Sequence, residues 1–218
     1  MKRTVEIDFV SDVVCPWCAL GSAALNQAIA NVADEINVQL TYKPFELNPE
    51  MPAEGEHALE HMVRKYGRTA EQVAARNQLM IERGREIGVE FNLEKRTHFF
   101  NTHDAHRLLY WAASKGLQTE LHQALIEAYF VNGQNPSSHA TLTTLAQNAG
   151  LNAKDALQIL ERGQYTHEVR QVESFYRERG ISAVPAMILN QQHVVAGSQS
   201  VEFYEQAIRQ SARITSPT

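Results

Sequence analysis

A chain of 218 residues and 24.5 kDa is long enough for one domain, or for a domain that carries an insert. Its 44% hydrophobic and 21% charged residues are ordinary for a globular protein and exclude the disordered, collagen-like and coiled-coil classes. Twenty basic residues against 25 acidic ones give a net charge of −5, which argues against nucleic acid or an acidic membrane surface as a partner. Two cysteines are too few for a disulfide-stapled secreted scaffold.

The beginning of the chain predicts a strand, a helix and a second strand. Residues 4–10 alternate apolar and polar side chains with the period of two that a half-buried strand shows. From Leu20 to Val32 the apolar residues recur at spacings of three and four, and Pro16 suits the first turn of such a helix. Alternation returns at residues 38–42. A β-α-β unit of this kind is usually parallel and right-handed.

The same segment carries no targeting signal that we can identify. Glu6, Asp8 and Asp12 interrupt the apolar run before it reaches the length of a signal-peptide core. No stretch approaches the roughly 20 apolar residues of a transmembrane helix, and the mean hydropathy is −0.35. We therefore expect a cytoplasmic protein without a membrane partner.

A long helical block follows, from about Glu56 to Arg179, with glycines that punctuate roughly six helices. Thr69 with Gln72 predicts a capping box, and Gly88 a C-terminal stop for that helix. The other predicted N-caps are Asn101 or Thr102, Ser138, Asn152 and Thr166, with stops at Gly116, Gly150, Gly163 and Gly180, and one more helix lies between Leu117 and Gly133.

The end of the chain returns to strands. Residues 185–189 and 193–196 flank a polar turn and predict a hairpin, after which Ser200 caps a last helix that reaches about Arg213. The predicted class is therefore α/β, with a small mixed sheet and a large all-helical insertion. We expect residues 1–50 and 180–218 to form the sheet domain and residues 51–179 to form the insertion.

The only two cysteines stand three apart in Cys15-Pro16-Trp17-Cys18, where the first strand passes into the first helix. In this setting a C-x-x-C pair is typical of a redox motif. The unsatisfied N–H groups of a helix N-terminus favour a thiolate on the first cysteine and lower its pKa. Cys15 is thus the predicted nucleophile and Cys18 the resolving thiol, and we expect Trp17 to shield the site or to contact substrate.

Two alternatives to a redox pair are open at this point. A zinc site would need two further ligands, which His103 and His106 could supply, although the Pro-Trp spacer favours a redox turn; a chance, inert pair is the other alternative. A separate H-x-x-E-H pattern at residues 57–61 has the spacing of an inverted zinc-peptidase motif. No third ligand for it can be identified, so an exposed helix face is the favoured interpretation.

With these motifs in place, the chain resembles the DsbA-like branch of the thioredoxin superfamily, specifically its FrnE-type group. The resemblance extends nearly end to end. Its motifs are CPWC at 15–18, PFELNPEMPAEG at 44–55, KYG at 65–67, AHRLL at 105–109, AVPAMIL at 183–189 and VAGSQS at 195–200. It implies a thioredoxin-like fold with a helical insertion and thiol–disulfide oxidoreductase activity.

The resemblance also implies roles for individual residues. It places a cis peptide bond at Val184-Pro185 opposite the cysteines, although the residues alone favour the commoner trans form. We therefore add Pro185 to Cys15 and Cys18 in the predicted catalytic set. Relatives often carry glycine at the position of Ala183. The predicted substrate-binding residues are Pro16, Trp17, Ala183, Val184, His103 and Asp12.

The residues alone leave alternative roles open for the two histidines and for Asp12. His103 and His106 could line the cleft and stabilise the thiolate, or could simply pack within the insertion. Asp12 either ends the first strand or accepts the proton of the resolving thiol.

Dithiol exchange needs no metal or organic cofactor, and its partners would be protein or low-molecular-weight thiols and disulfides. The oligomeric state is open between monomer and dimer. The alternative function comes from sibling families of similar fold, the 2-hydroxychromene-2-carboxylate isomerases and the kappa-class glutathione transferases. They typically carry serine in place of the first cysteine. Glutathione therefore stays a candidate reductant or co-substrate, and a redox-gated interaction module is a third hypothesis.

Overall fold

The structure, a computed structural model, describes residues 2–52 and 54–214. The strands are β1 (Arg3–Ser11), β2 (Ile36–Pro44), β3 (Glu56–His57), β4 (His98–Phe99), β5 (Ala186–Leu189) and β6 (His193–Ala196). The helices are α1 (Pro16–Val32), α2 (Ala58–Tyr66), α3 (Ala70–Glu86), α4 (His103–Ala113), α5 (Gln118–Phe130), α6 (His139–Asn148), α7 (Ala153–Glu161), α8 (Thr166–Glu178) and α9 (Val201–Ile214).

A four-stranded mixed sheet forms the centre, in the order β2-β1-β5-β6. β1 runs parallel to β2, with Val5 opposite Val38, and antiparallel to β5, with Phe9 opposite Met187. The α/β class and the parallel β-α-β opening are thus confirmed. The polar turn predicted between β5 and β6 contains Asn190, which adopts a left-handed conformation with φ of 47°.

The alternation predicted for β1 decides which face of the sheet is covered by which helices. Val5, Ile7 and Phe9 are buried in one hydrophobic cluster with apolar residues of α1 and α9. Val10 points the other way and packs with Tyr176 of α8. The carboxyl end of β1 is therefore buried on both faces of the sheet. The residues that follow it, including the cysteines, lie between the sheet and the insertion.

The helical block has its own core, and that core includes part of α1. Leu108, Leu121, Leu125 and Leu142 are each inaccessible to solvent, and they cluster with Leu20 of α1. Because α1 contributes to both clusters, the division into two domains at residues 50 and 180 stays a prediction.

Most predicted helix ends are where the local signals place them. The capping box at Thr69 forms, with the Gln72 side chain reciprocally bonded to the Thr69 backbone. Ser138 and Asn152 cap α6 and α7 through side-chain oxygens, and Ser200 accepts from the Phe203 N–H at the start of α9.

Three expectations for the helical block need correction. Within the described residues, seven helices rather than about six separate β2 from β5, because the nine-residue α2 was not predicted. The two-residue ladder of β3 and β4 was also missed, since its partners lie far apart in sequence. The N-cap of α8 is Tyr165 in a left-handed conformation, whereas Thr166 is the first helical residue.

None of the helices in residues 2–52 and 54–214 is both long and apolar enough to span a membrane.

Candidate redox site

Cys15 is the N-cap of α1, and Pro16 occupies the first turn as predicted. The Cys15 N–H donates to the Asp12 carbonyl at 3.1 Å, which turns the chain out of β1. The Cys15 carbonyl accepts from the N–H groups of Cys18 and Ala19 at 3.0 and 3.1 Å and so begins the helix. The sulfur of Cys15 therefore lies at the N-terminal end of α1, where the helix dipole and the backbone N–H groups of Trp17 and Cys18 favour a negative charge.

The two thiols are free and have different surroundings. Cys18 is fully buried, whereas 4% of Cys15 is exposed. A hydrogen bond from the Cys18 side chain lowers the pKa of Cys15, although burial opposes that effect. Burial raises the pKa of Cys18 well above 9.0, and the adjacent Cys15 raises it further. The arrangement therefore favours the thiolate on Cys15 more than on Cys18.

The loop before β5 faces the cysteines, and its Val184-Pro185 peptide bond is cis. The Cys15 sulfur lies 3.9 Å from the Val184 carbonyl oxygen. The Pro185 carbonyl accepts from the Gly197 N–H at 2.8 Å, which ties the loop to the end of β6. Ala183 is exposed and Val184 half-buried, so both can contact a molecule that approaches Cys15.

One residue that fits this loop against α1 was not identified from the sequence. A methyl group added to Gly21 would lie 3.2 Å from the Pro185 ring and 3.3 Å from both the Phe9 ring and the Tyr204 hydroxyl. Gly21 thus allows the close approach of α1 to the Pro185 loop. A glycine inside a helix that is otherwise regular is the signal that could have indicated such an approach.

Asp12 does not belong to the substrate-binding surface, which corrects the sequence-based assignment. The residue is fully buried, and its carboxylate accepts from the Leu47 N–H at 2.7 Å. His106 Nε2 lies 3.5 Å from the same carboxylate. Burial lowers the pKa of His106, but the carboxylates of Asp12, Glu46 and Glu173 together leave it raised. The charge of Asp12 also raises the pKa of both cysteines, so Asp12 acts on the buried side of the pair.

His103 is not brought to the cysteines either. Its Nδ1 lies 3.0 Å from Glu46 Oε1, and the Arg170 guanidinium donates to the same oxygen at 2.6 Å. Within the part of the chain that the structure describes, no hydrogen bond or ring contact joins His103 to Cys15 or Cys18. His103 therefore belongs to a buried ionic network between α4 and α8, a contact that sequence spacing does not reveal.

Trp17 and side chains of the insertion lie near Cys15. Trp17 is half-buried, packs against the helical core and has the Arg76 guanidinium 5.9 Å from its ring. Tyr66, at the end of α2, is half-exposed and interacts electrostatically with Cys15. Tyr66 and Arg76 were not identified from the sequence, because only the folded insertion brings them to the CPWC turn.

The H-x-x-E-H segment has a structural role in the described part of the chain. His61 is buried, and its Nδ1 lies 2.6 Å from Glu56 Oε2. Arg64 donates to Glu56 as well. His57 is the N-cap of α2 and its ring meets that of His98 edge to face. No group of three or more His, Cys, Asp or Glu residues arranged to hold a metal ion occurs in residues 2–52 and 54–214.

The chain is similar to known proteins over nearly its whole length. The model of the DSBA-like thioredoxin domain matches residues 6–209. The chain is 28% identical over 206 residues to the uncharacterized protein YwbO of Bacillus subtilis, with 94% of this chain and 96% of YwbO covered. Its structure superposes with a TM-score of 0.89 and 28% identity on a "probable DsbA oxidoreductase" of Streptomyces coelicolor, covering 98% of this chain and 92% of that one.

A more distant structure shows the same fold. The cytosolic disulfide reductase DsbM of Pseudomonas aeruginosa superposes with a TM-score of 0.65 at 15% identity, covering 96% of this chain and all of DsbM. At this identity the likeness concerns the fold alone.

Proposed function

We propose that this chain, which belongs to the family of DSBA-like thioredoxin domains, is a thiol–disulfide oxidoreductase in which Cys15 is the nucleophile and Cys18 the resolving thiol. The observation that carries the proposal is the contrast between the two cysteines. The pKa of Cys15 is lowered by the hydrogen bond from Cys18, whereas the pKa of the fully buried Cys18 is raised.

The exchange uses both sulfurs in order. The Cys15 thiolate attacks one sulfur of a disulfide, a Cys15–substrate mixed disulfide forms and the other half leaves as a thiolate. Cys18 then loses its proton and attacks Cys15, which releases the second half as a thiolate and leaves the Cys15–Cys18 disulfide. Two electrons pass to the substrate, and an external dithiol returns them. The reverse sequence oxidises a dithiol.

Three features of the site support this sequence of steps. The position at the α1 N-terminus favours the Cys15 thiolate. The exposed Ala183 and the half-buried Val184 of the Pro185 loop can contact the substrate next to the attacking sulfur. Asp12 is fully buried on the Cys18 side and is the candidate acceptor for the Cys18 proton.

The test is the reduction of insulin or of glutathione disulfide by the wild type, by Cys15→Ser and by Cys18→Ser. We expect Cys15→Ser to lose turnover entirely. Cys18→Ser should accumulate a mixed disulfide on Cys15 that mass spectrometry detects and dithiothreitol removes. Because the chain has no third cysteine, no other thiol can form this adduct. Equal rates for wild type and Cys15→Ser would refute the proposal.

A glutathione-dependent isomerase or transferase stays the alternative prediction. It would need one site residue at most, so its turnover would survive in Cys18→Ser. We also propose that the protein is cytoplasmic. The description of DsbM as cytosolic is compatible with this location. Fractionation of cells that express the native chain tests this location.

A further inference from the structure

Three arginines of the insertion lie near one another, and one of them lies beside the CPWC turn. Arg68 joins α2 to α3, Arg76 lies on α3, and Arg96 lies in the loop before β4. The Arg76 guanidinium stands over the Trp17 ring, and Arg76 interacts electrostatically with Cys15 and with both other arginines. Arg76 thus lies next to the candidate nucleophile, and Arg68 and Arg96 lie close enough to Arg76 for their charges to affect it.

These arginines have no carboxylate partner in residues 2–52 and 54–214. Only 6% of Arg96 is exposed, and the Nε atoms of Arg68 and Arg96 are shielded from solvent without a hydrogen-bond acceptor. The groups that reach Arg96 are the Phe99 ring, 4.9 Å from its guanidinium, and the Tyr129 side chain. Buried arginines are almost always paired.

Another buried arginine of the same insertion shows what pairing looks like. Arg107 is 3% exposed and donates to Asp104 and to the carbonyls of Ile159, Leu160 and Gln164. The cluster beside Cys15 has nothing equivalent. Burial lowers the pKa of Arg76 and the charge of Arg68 lowers it further, so an anion that enters the cluster would relieve both the repulsion and the missing acceptors.

We propose that Arg68, Arg76 and Arg96 form an anion-binding site that receives a carboxylate or phosphate group of a low-molecular-weight disulfide while its sulfur meets Cys15. The depth of Arg96 favours a small substrate, because the acidic side chain of a folded protein could not reach a guanidinium that is 6% exposed. The planar guanidinium matches either oxyanion with two parallel hydrogen bonds. This inference rests on the proposed exchange at Cys15.

The first experiment compares four disulfides: glutathione disulfide, which carries carboxylates; coenzyme A disulfide, which carries phosphates; neutral bis(2-hydroxyethyl) disulfide; and cationic cystamine. We expect the wild type to prefer an anionic disulfide. Arg76→Gln should lower kcat/KM for that disulfide about tenfold to hundredfold and leave the neutral one within about threefold. The preferred anionic disulfide then shows whether carboxylate or phosphate is recognised.

The matched control is Arg85→Gln. Arg85 is exposed on the same helix, nine positions further on and therefore half a turn out of phase with Arg76. The substitution Arg85→Gln removes the same charge from the protein as Arg76→Gln does, and it should leave the preference among the disulfides unchanged. Arg96→Gln tests the buried arginine of the cluster, and Arg68→Gln, at a half-buried position, takes its place if Arg96→Gln fails to fold. Equal kcat/KM values for anionic and neutral disulfides in the wild type would overturn the proposal.

A second experiment is independent of turnover and separates this inference from the proposed function. Cys18→Ser leaves Cys15 as the only thiol, and its alkylation by anionic iodoacetate is compared with that by neutral iodoacetamide. Both reagents consume the same thiolate, so the ratio of their rates does not depend on the pKa of Cys15. Arg76→Gln in this background should lower the ratio about tenfold, and raised salt should lower it without any substitution.

If the ratio is the same with Arg76 and with Gln at position 76, the anion site does not exist, even where disulfide exchange is observed. If no disulfide is turned over but the ratio falls, the anion site stands and the proposed exchange is wrong.

Discussion

The protein should lose stability below pH 6.5 because of one fully buried histidine. His122 of α5 is 0% exposed, neither of its ring nitrogens has a hydrogen-bond partner, and its ring stacks on Tyr42 at 3.8 Å. Burial lowers the pKa of His122 to about 3. In the unfolded chain the same side chain titrates near 6.5, so between these two values the unfolded state binds a proton that the folded state does not.

The sign and size of the effect follow from this linkage. Because the pKa of His122 is lower in the folded state than in the unfolded state, its contribution to the free energy of unfolding is complete above pH 6.5. Below pH 6.5 the free energy of unfolding falls by about 1.4 kcal/mol per pH unit. From pH 6.5 to 5.0 the expected loss is about 2 kcal/mol. His106 does not contribute to this change, because its pKa is raised and such a group already stabilises fully below its unfolded pKa.

The assay is urea unfolding of the wild type and of His122→Phe at pH 7.5, 6.5, 5.5 and 5.0. Phenylalanine keeps an aromatic ring against Tyr42 and removes the titration. The wild type should lose about 2 kcal/mol more than the variant between pH 6.5 and 5.0. His61, whose pKa is lowered mainly by burial, contributes to both proteins equally and cancels. His193→Gln, at an exposed position, is the control. Equal losses in wild type and His122→Phe would refute the reasoning.

Three further substitutions test the site and the fold. Cys18→Ala should raise the pKa of Cys15, because the leading cause of its lowered value is the hydrogen bond from Cys18; the pH dependence of iodoacetamide alkylation measures this, and an unchanged profile would contradict it. Gly21→Ala should gain helix propensity but press on Pro185 at 3.2 Å, so we expect a net loss of about 1 kcal/mol in urea unfolding together with slower disulfide exchange; a more stable variant would show that the loop yields. Thr69→Ala removes one half of the capping box and should cost about 1 kcal/mol in the same unfolding assay, and a loss below about 0.3 kcal/mol would show that α3 does not need the cap.

The sequence was informative where a structural feature depends on neighbours along the chain. The alternation of residues 4–10 predicted β1, and the Thr69 and Gln72 pair predicted the start of α3. The position of Cys15 at the start of α1 followed from the same local patterns. Each of these features is decided within about ten residues, so periodicity and capping residues are sufficient to find it.

The parts of the site that depend on tertiary packing were not predictable in this way. Asp12 was predicted to bind substrate, yet it is fully buried and contacts the Leu47 N–H and His106 of α4. Arg68 and Arg96 lie 28 positions apart in the chain, and no periodic pattern relates them. Both interact with Arg76 of α3, and this proximity depends on how the insertion folds.

The charges near the two cysteines act on different sides of the pair. On the buried side, Asp12 raises the pKa of both thiols, and His106 lies against the same carboxylate. The lowered pKa of Cys15 has its leading cause in the hydrogen bond from Cys18, so the thiolate does not depend mainly on the arginines of the open side. Substitution of Cys18 should change how readily Cys15 reacts, whereas substitution of Arg76 should change which disulfide it reacts with.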